Sequence, residues 1–396
     1  MPSLNQARFL RAALESVLSQ DYPDLEVVVM DGGSTDGSVE ILRGYGHRIL
    51  FASEPDRGQA DALNRGFARS TGTVLAWLNS DDAYLPGAIQ TAVAALEASP
   101  QATMVYGEGE IIDEAGRVLG PFIHTQPFDL WTLVNLSDFV LQPTVFMRAG
   151  AVRAVGGLDE SLHFGLDWDL WIRLACRGPV VKVAERLAQS REYAATKTAR
   201  GGWRRLCELR AIMTRYGTWR WPPGARAYGL DTLRRRFPVL LGASSLADAV
   251  PLRGRVLPRL FRPLHEAMSG LIGRQTMAYP GIWSDGWLGP RAYRAIVWSG
   301  EAGVLRVDVE VPPEPTLLPF RFRVSAAGGT ALSTVRTHGA LRLMLAIPAA
   351  GGGPRPLEIV LRASRSCHLP GDPRRLSCVL RRIAFEEGGE HEKAQV

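Results

Sequence analysis

The stretch Leu25-Glu-Val-Val-Val-Met-Asp31-Gly-Gly-Ser-Thr-Asp36-Gly-Ser38 decides the fold. Its opening run is apolar and β-branched, the composition of a strand buried on both faces. The run stops at an acid and two glycines, and Ser34 or Asp36 then suits the cap of a following helix through Val39, Ile41 and Leu42. A strand that breaks into an acidic loop and continues as a helix is one turn of a strand–helix alternation. Upstream, residues 7–20 carry Phe9, Leu10, Ala13, Leu14, Val17 and Leu18 at helical spacing. Downstream come a short strand near 49–52, a helix over 59–68, a strand over 73–78 and a helix opened by Pro86. This order predicts an α/β fold with a doubly wound, mainly parallel sheet. Ligands of such sheets collect at the carboxyl ends of the strands, where Asp31 and Asn79–Asp82 fall. The chain starts almost at its first helix, so the opening strand of the sheet is expected to be missing.

The whole chain of 396 residues sets the limits. No apolar run is long enough for a transmembrane helix and no secretory leader is visible. The four cysteines lack metal-ligand spacing and read as reduced thiols, with Cys367 and Cys378 the one plausible pair. Residues 200–274 hold 15 arginines, no lysine and four acids, a local charge of +11 against +6 for the whole chain, so the rest is acidic. This segment reads either as an interfacial region attracted to anionic lipid or as a solvated helical linker; no recognition motif supports nucleic acid. From about residue 277 short alternating strands, at 303–311, 319–324, 341–347, 357–361 and 376–385, predict an antiparallel β-sandwich. The expected domains are therefore 1–199, a basic helical segment at 200–276, and 277–390.

Three acidic signatures carry the chemistry. Asn79-Ser-Asp81-Asp82 places carboxylates in a turn at a strand end, which suits a divalent cation facing a diphosphate; the same acids equally suit a turn and a helix cap. Asp31 can accept hydrogen bonds from a base or ribose, with Gly32 and Gly33 admitting a flat ring, or it can simply organise its turn. No G-x-G-x-x-G dinucleotide fingerprint occurs. Arg57 at the start of a helix can reach phosphate, and Asn64 lies two helical turns on; a surface arginine and a packing asparagine are the plainer readings. Asp167-Trp168-Asp169 opens an aromatic helix, where a positioned carboxylate can act as general base. Asp169 fits a capping role better, so the base is placed on Asp167. Trp168 and Gln142 are assigned to acceptor contact.

Residues 3–198 resemble the family 2 glycosyltransferases of the GT-A fold, through Ser3-Leu-Asn-Gln6, D-G-G-S-T-D-G-S at 31–38, S-E-P-D-R-G-Q-A-D-A-L-N-R-G at 53–66, L-N-S-D-D at 78–82 and D-W-D-L-W-I-R-L at 167–174. The resemblance implies a doubly wound mixed sheet, and that Asp31 contacts the donor base, Asp81 binds Mg²⁺ or Mn²⁺, and Asp167 is the base. Asn79 stands where the family's first D-x-D acid is usual, Leu166 replaces a glutamate, and Tyr193 replaces a histidine. The implied activity is inverting transfer of a sugar from a nucleotide-diphosphate donor to a hydroxyl of a polysaccharide or lipid-linked oligosaccharide. The expected location is cytoplasmic, peripheral on the inner membrane face. The alternative is a catalytically degenerate glycan-binding or scaffold protein. A nucleotidyltransferase is disfavoured, because no Gly-rich loop with a downstream lysine occurs.

Overall fold

A computed structural model describes residues 1–193, 196–197, 201–236, 277–279, 282–283, 288, 291–311, 320–335, 339–351, 353–364 and 377–387. The chain divides into two compact units, Met1–Phe128 with Ser137–Ile212, and Asp129–Leu136 with Met213–Val396.

The first unit begins with β1 (Pro2–Ser3), α1 (Ala7–Leu18), β2 (Val28–Asp31), α2 (Ser38–Gly44), β3 (Leu50–Ser53), α3 (Gln59–Arg69) and β4 (Val74–Ala76). It continues with β5 (Ala83–Tyr84), α4 (Ala88–Ala98), β6 (Met104–Ile112) and β7 (Val118–Pro121). The helix α5 (Leu130–Asn135) belongs to the second unit; β8 (Phe146–Arg148), α6 (Ala149–Ala154), α7 (Leu166–Ala175), β9 (Val180–Arg191) and the start of α8 (Gly202–Tyr216) complete the first. Helix α1 buries Phe9, Leu10, Ala13, Leu14 and Val17 on one face, as the spacing requires. Each large apolar side chain so buried contributes about 1.5–3 kcal/mol. Leu10→Ala or Leu14→Ala, both fully buried, would cost about 2–5 kcal/mol.

The sheet departs from the expectation in its opening strand. Strands β1, β2 and β3 pair in parallel, Ser3 opposite Asp31 and Asp31 opposite Ser53. The opening strand expected to be missing is thus represented by a two-residue stub. Strands β4, β8, β6, β9 and β5 form a separate sheet in that order, and only β6 with β9 is parallel in it. The sheet is mixed, as the resemblance to the GT-A fold implies, since β8 and β5 pair antiparallel with their neighbours. No ladder joins β2 to β4. Between them lies a cavity of about 970 Å³, walled by Val28, Met30, Ala62, Leu75, Ala76 and Phe146.

The second unit contains α5, α9 (Pro223–Arg236), β10 (Met277–Tyr279), β11 (Ile282–Trp283), β12 (Arg291–Trp298), β13 (Gly303–Val311) and β14 (Phe320–Ala326). It ends with β15 (Gly329–Val335), β16 (Gly339–Ile347), β17 (Arg355–Ala363) and β18 (Val379–Glu387). Two antiparallel sheets, β12-β17-β14-β15 and β16-β13-β18, enclose one core. Alternate residues Leu305, Val307 and Val309 of β13 and Leu357, Ile359 and Leu361 of β17 point into it. Strands β12 and β15 have no counterpart in the sequence reading. Helix α5 joins this unit through Trp131, whose ring stacks on Tyr293 at 4.7 Å, and Asn135, which donates to Glu358. Of the Arg-rich segment, residues 237–276 lie outside the described residues, as does Cys367. Cys176 and Cys378 are buried free thiols, both pushed up to about 12 by burial.

Candidate active site

The loop after β2 is organised by its own polar side chains. Asp31 is buried, and its Oδ2 accepts from Gly33 N (3.2 Å), Ser34 N (2.9 Å) and Ser53 Oγ (2.7 Å), while Oδ1 accepts from Ser34 Oγ (2.5 Å). Burial would raise its pKa, but the bonds from Ser34, Ser53 and Gly33 outweigh it and hold the carboxyl below its ordinary value. Asp36 and Ser38 reach back to the start of α1, accepting from Ala7 N (2.9 Å) and Gln6 N (3.2 Å). They satisfy helix-terminal donors that lack intrahelical partners. At Gly32 a Cβ would lie 2.7 Å from Asp56 Oδ2. The space that the glycines were expected to open for a flat ring is taken there by a carboxylate.

The turn after β4 centres on Asn79. Its Oδ1 accepts from Trp77 Nε1 (2.7 Å) and Gln59 Nε2 (2.9 Å), and its Nδ2 donates to Gln142 Oε1 (2.9 Å) and Asp82 Oδ2 (3.1 Å). An aspartate cannot make the last two bonds, which explains the amide at this position. Asp82 is buried and tied to β9 by Arg191 N (2.9 Å); burial and the adjacent Asp81 charge push it up to about 7. Asp81 is half-buried, with Oδ2 accepting from Tyr193 Oη at 3.0 Å. Burial raises its pKa against the opposing pull of Tyr193, Arg191 and Arg8. The Arg8 guanidinium lies 4.9 Å from the Tyr193 ring centre, and Arg191 donates to the Asp81 carbonyl at 2.8 Å.

Asp167 occupies the second position of α7, half-buried, with Oδ1 accepting from Trp168 N at 2.8 Å. Burial raises its pKa, opposed by Trp168 N–H, Lys197 and Arg205. Asp138 is raised well above its ordinary value by burial and by the Asp167 charge. Lys197 Nζ donates to Gln59 Oε1 at 2.9 Å. Its pKa is lowered by burial, with Asp167 and Glu208 pulling the other way. A hydrogen-bonded path therefore runs from the Asp81 turn through Asn79 and Gln59 to Lys197, whose charge acts on Asp167.

Other expected residues are placed differently from the sequence reading. Arg57 pairs with Asp61 (3.0 Å) and Glu160 (2.6 Å), and Asp61 is held at about 2, first by its hydrogen bonds with Arg57. Asn64 clamps the loop before α7, accepting from Leu158 N (2.9 Å) and donating to Leu158 O (3.0 Å). Gln142 reaches the site, but its amide is engaged by Asn79 and by Trp77 O (2.6 Å). Trp168 is 2% exposed and presents no open face. Asp169 is buried against Arg173 at 2.7 Å, as a structural acid would be. The sequence reading missed Gln59, Lys197, Asp138 and Glu208. Gln59 sits inside a quoted motif and Lys197 lies four residues past Tyr193, but nothing in their spacing reveals the bond between residues 138 positions apart.

Among the described residues no group of three or more His, Cys, Asp or Glu converges as a ready metal cage. The donor set still fits a magnesium-like ion, which takes one or two carboxylates and completes its shell with water and phosphate oxygens. Asp81 offers such a carboxylate, since Asp82 is spent on β9. Two clamped carboxylate loops at strand ends and a helix-borne acid beside a lysine are the geometry on which the comparisons bear. The description "Glycosyl transferase family 2" matches residues 1–138. A PGL/p-HBAD biosynthesis glycosyltransferase of Mycobacterium bovis (strain BCG / Pasteur 1173P2) is 32% identical over 178 residues, 44% of this chain and 67% of that protein. An uncharacterized glycosyltransferase of Rickettsia prowazekii is 28% identical over 204 residues, 50% of this chain and 64% of that protein. A solved mannosyltransferase of Pyrobaculum calidifontis, in complex with GDP-Man and Mn²⁺, aligns with a TM-score of 0.45 at 20% identity, over 68% of this chain and 81% of that one. The chain belongs to glycosyl transferase family 2. The matches span 64% of the length of the Rickettsia prowazekii relative and 26–31% of three other curated relatives. No helix among the described residues is long and apolar enough to cross a membrane.

Proposed function

We propose that this protein transfers a sugar, with inversion, from a nucleoside-diphosphate donor to a hydroxyl of a polysaccharide or lipid-linked glycan. The observation that carries this reading is the path Asn79–Gln59–Lys197, which ties the Asp81 turn to the surroundings of Asp167. Asp167 takes the proton of the acceptor hydroxyl as the new bond forms, a role that its raised proton affinity suits. A positioned base of this kind contributes about 10²–10⁴-fold. Lys197 stands beside it as a partly desolvated cation that favours the carboxylate form. Asp81 would hold Mg²⁺ or Mn²⁺, which when bound supplies charge neutralisation for the departing diphosphate. Arg8 and Arg191, whose charges already act on Asp81, add to that field. The loop held by Asp31 receives the nucleoside end.

Asp167→Asn should cut turnover by about 10²–10⁴-fold while nucleotide binding persists. Release of UDP, GDP or dTDP from their sugar conjugates with Mn²⁺ measures the first, and thermal shift with the free diphosphate the second. An Asp167→Asn protein as active as the wild type would refute the assignment. One observation favours the non-catalytic alternative: Asp31, Arg57 and Asn64 are all engaged within the chain. The same release assay on the wild type separates the two readings. Peripheral membrane contact through the Arg-rich segment is supported by half-exposed Trp203 and Trp221 among its described residues.

A further inference from the structure

Glu208 lies on α8, more than forty residues beyond the loop that introduces α7. Its carboxylate collects three consecutive backbone donors of that loop. His163 N donates to both oxygens at 3.0 Å, Phe164 N to Oε1 at 2.5 Å and Gly165 N to Oε1 at 2.8 Å. Gly165 is the N-cap of α7 and, as a glycine, has no side chain with which to cap the helix. These amides precede the first helical residue, Leu166, so the carboxylate grips the entry to the helix, and an anion there also meets the favourable end of the helix field. Behind Glu208, Leu209 and Ile212 press so closely that a Cβ at Gly165 would lie 2.5 Å from Ile212 Cδ1 and 3.0 Å from Leu209 Cδ2. Two residues past the cap stands Asp167.

From this we infer that Glu208 is a positioning residue for sugar transfer: its carboxylate fixes the start of α7 and so aims Asp167 at the acceptor. The inference rests on the reading of Asp167 as base. Other clamps set the rest of the loop, Asn64 at Leu158 and Arg173 at Val155 and Gly157, whereas Glu208 grips residues 163–165. Glu208 also draws on Lys197, which lies under the charge of both carboxylates. Loss of the grip lets the base drift without touching the donor loops, and a misplacement of about 1 Å is enough to cost on the order of 10²-fold in rate.

The test uses the full chain and release of the nucleoside diphosphate from the UDP- or GDP-sugar that the wild type hydrolyses. Glu208→Ala is expected to lower kcat by about 10–100-fold with the donor KM within about twofold. Glu208→Gln keeps an oxygen that accepts the same amides, and should restore kcat to within about threefold. Amide exchange at His163, Phe164 and Gly165, which needs no turnover, should quicken in Glu208→Ala and not in Glu208→Gln. Wild-type kcat or unchanged exchange in Glu208→Ala overturns the inference, and so does a Glu208→Gln variant as slow as Glu208→Ala. Should Asp167→Asn prove fully active, the base assignment falls and takes this inference with it. A dead Asp167→Asn beside an unimpaired Glu208→Ala removes this inference alone.

Discussion

Asn79 joins four partners through one amide, and each of its donors faces an oxygen that an acid would repel. Asn79→Asp would bring back the acid usual in the family at that position, yet it removes two donors and sets a carboxylate against Asp82. A loss of about 1–3 kcal/mol is expected for the broken bonds, read as a lower urea midpoint, together with slower turnover; a more stable variant would contradict this account of the turn. Asp167 gives a prediction in pH. On the proposed mechanism its carboxylate form is the active one, and its pKa lies above the ordinary 3.8 because burial disfavours the charge. Turnover should therefore rise with pH along a limb centred above 3.8 and fade below it. A kcat profile flat down to pH 4 would exclude Asp167 as the titrating base.

At the scale of elements, α7 is held by an internal ion pair as well as by its cap. Arg173 binds Asp169 and donates to the carbonyls of Val155 (2.8 Å) and Gly157 (2.6 Å), locking the preceding loop onto the helix. Arg173→Ala strips that partner from a fully buried carboxylate and should cost about 3–5 kcal/mol, measured by urea unfolding. An unchanged midpoint would mean that Asp169 is satisfied without it. Elements with a strong period were legible from sequence: α1 from its apolar spacing, β2 from its β-branched run, β13 residue for residue at 303–311. Strand β12 was not, because arginines and tyrosine interrupt its alternation. The site acids were visible as motifs, whereas their partners were not. Glu208 to Phe164, Asn64 to Leu158 and Lys197 to Gln59 are bonds across long stretches of chain, and no local pattern encodes them.

At the scale of the molecule, the first unit is built from two sheets without a shared ladder. Asp31 terminates β2 in one, and the Asn79–Asp82 turn follows β4 in the other, with the cavity at Val28 and Leu75 between them. The polar residues around Tyr193 offer one side-chain bridge, since Gln6 and Arg8 bond its hydroxyl and Asp81 accepts from it. A bound nucleoside diphosphate, gripped by the β2 loop at one end and by the Asp81 turn at the other, would act as a splint across this seam. Saturation at about 100 times Kd adds about 2.7 kcal/mol. If the splint is real, amides 28–31 and 74–78 slow their exchange together when the diphosphate binds, and a nucleoside lacking phosphates leaves 74–78 unprotected. The fold would then close around its donor rather than merely receive it, and the free enzyme would be the looser of its two states.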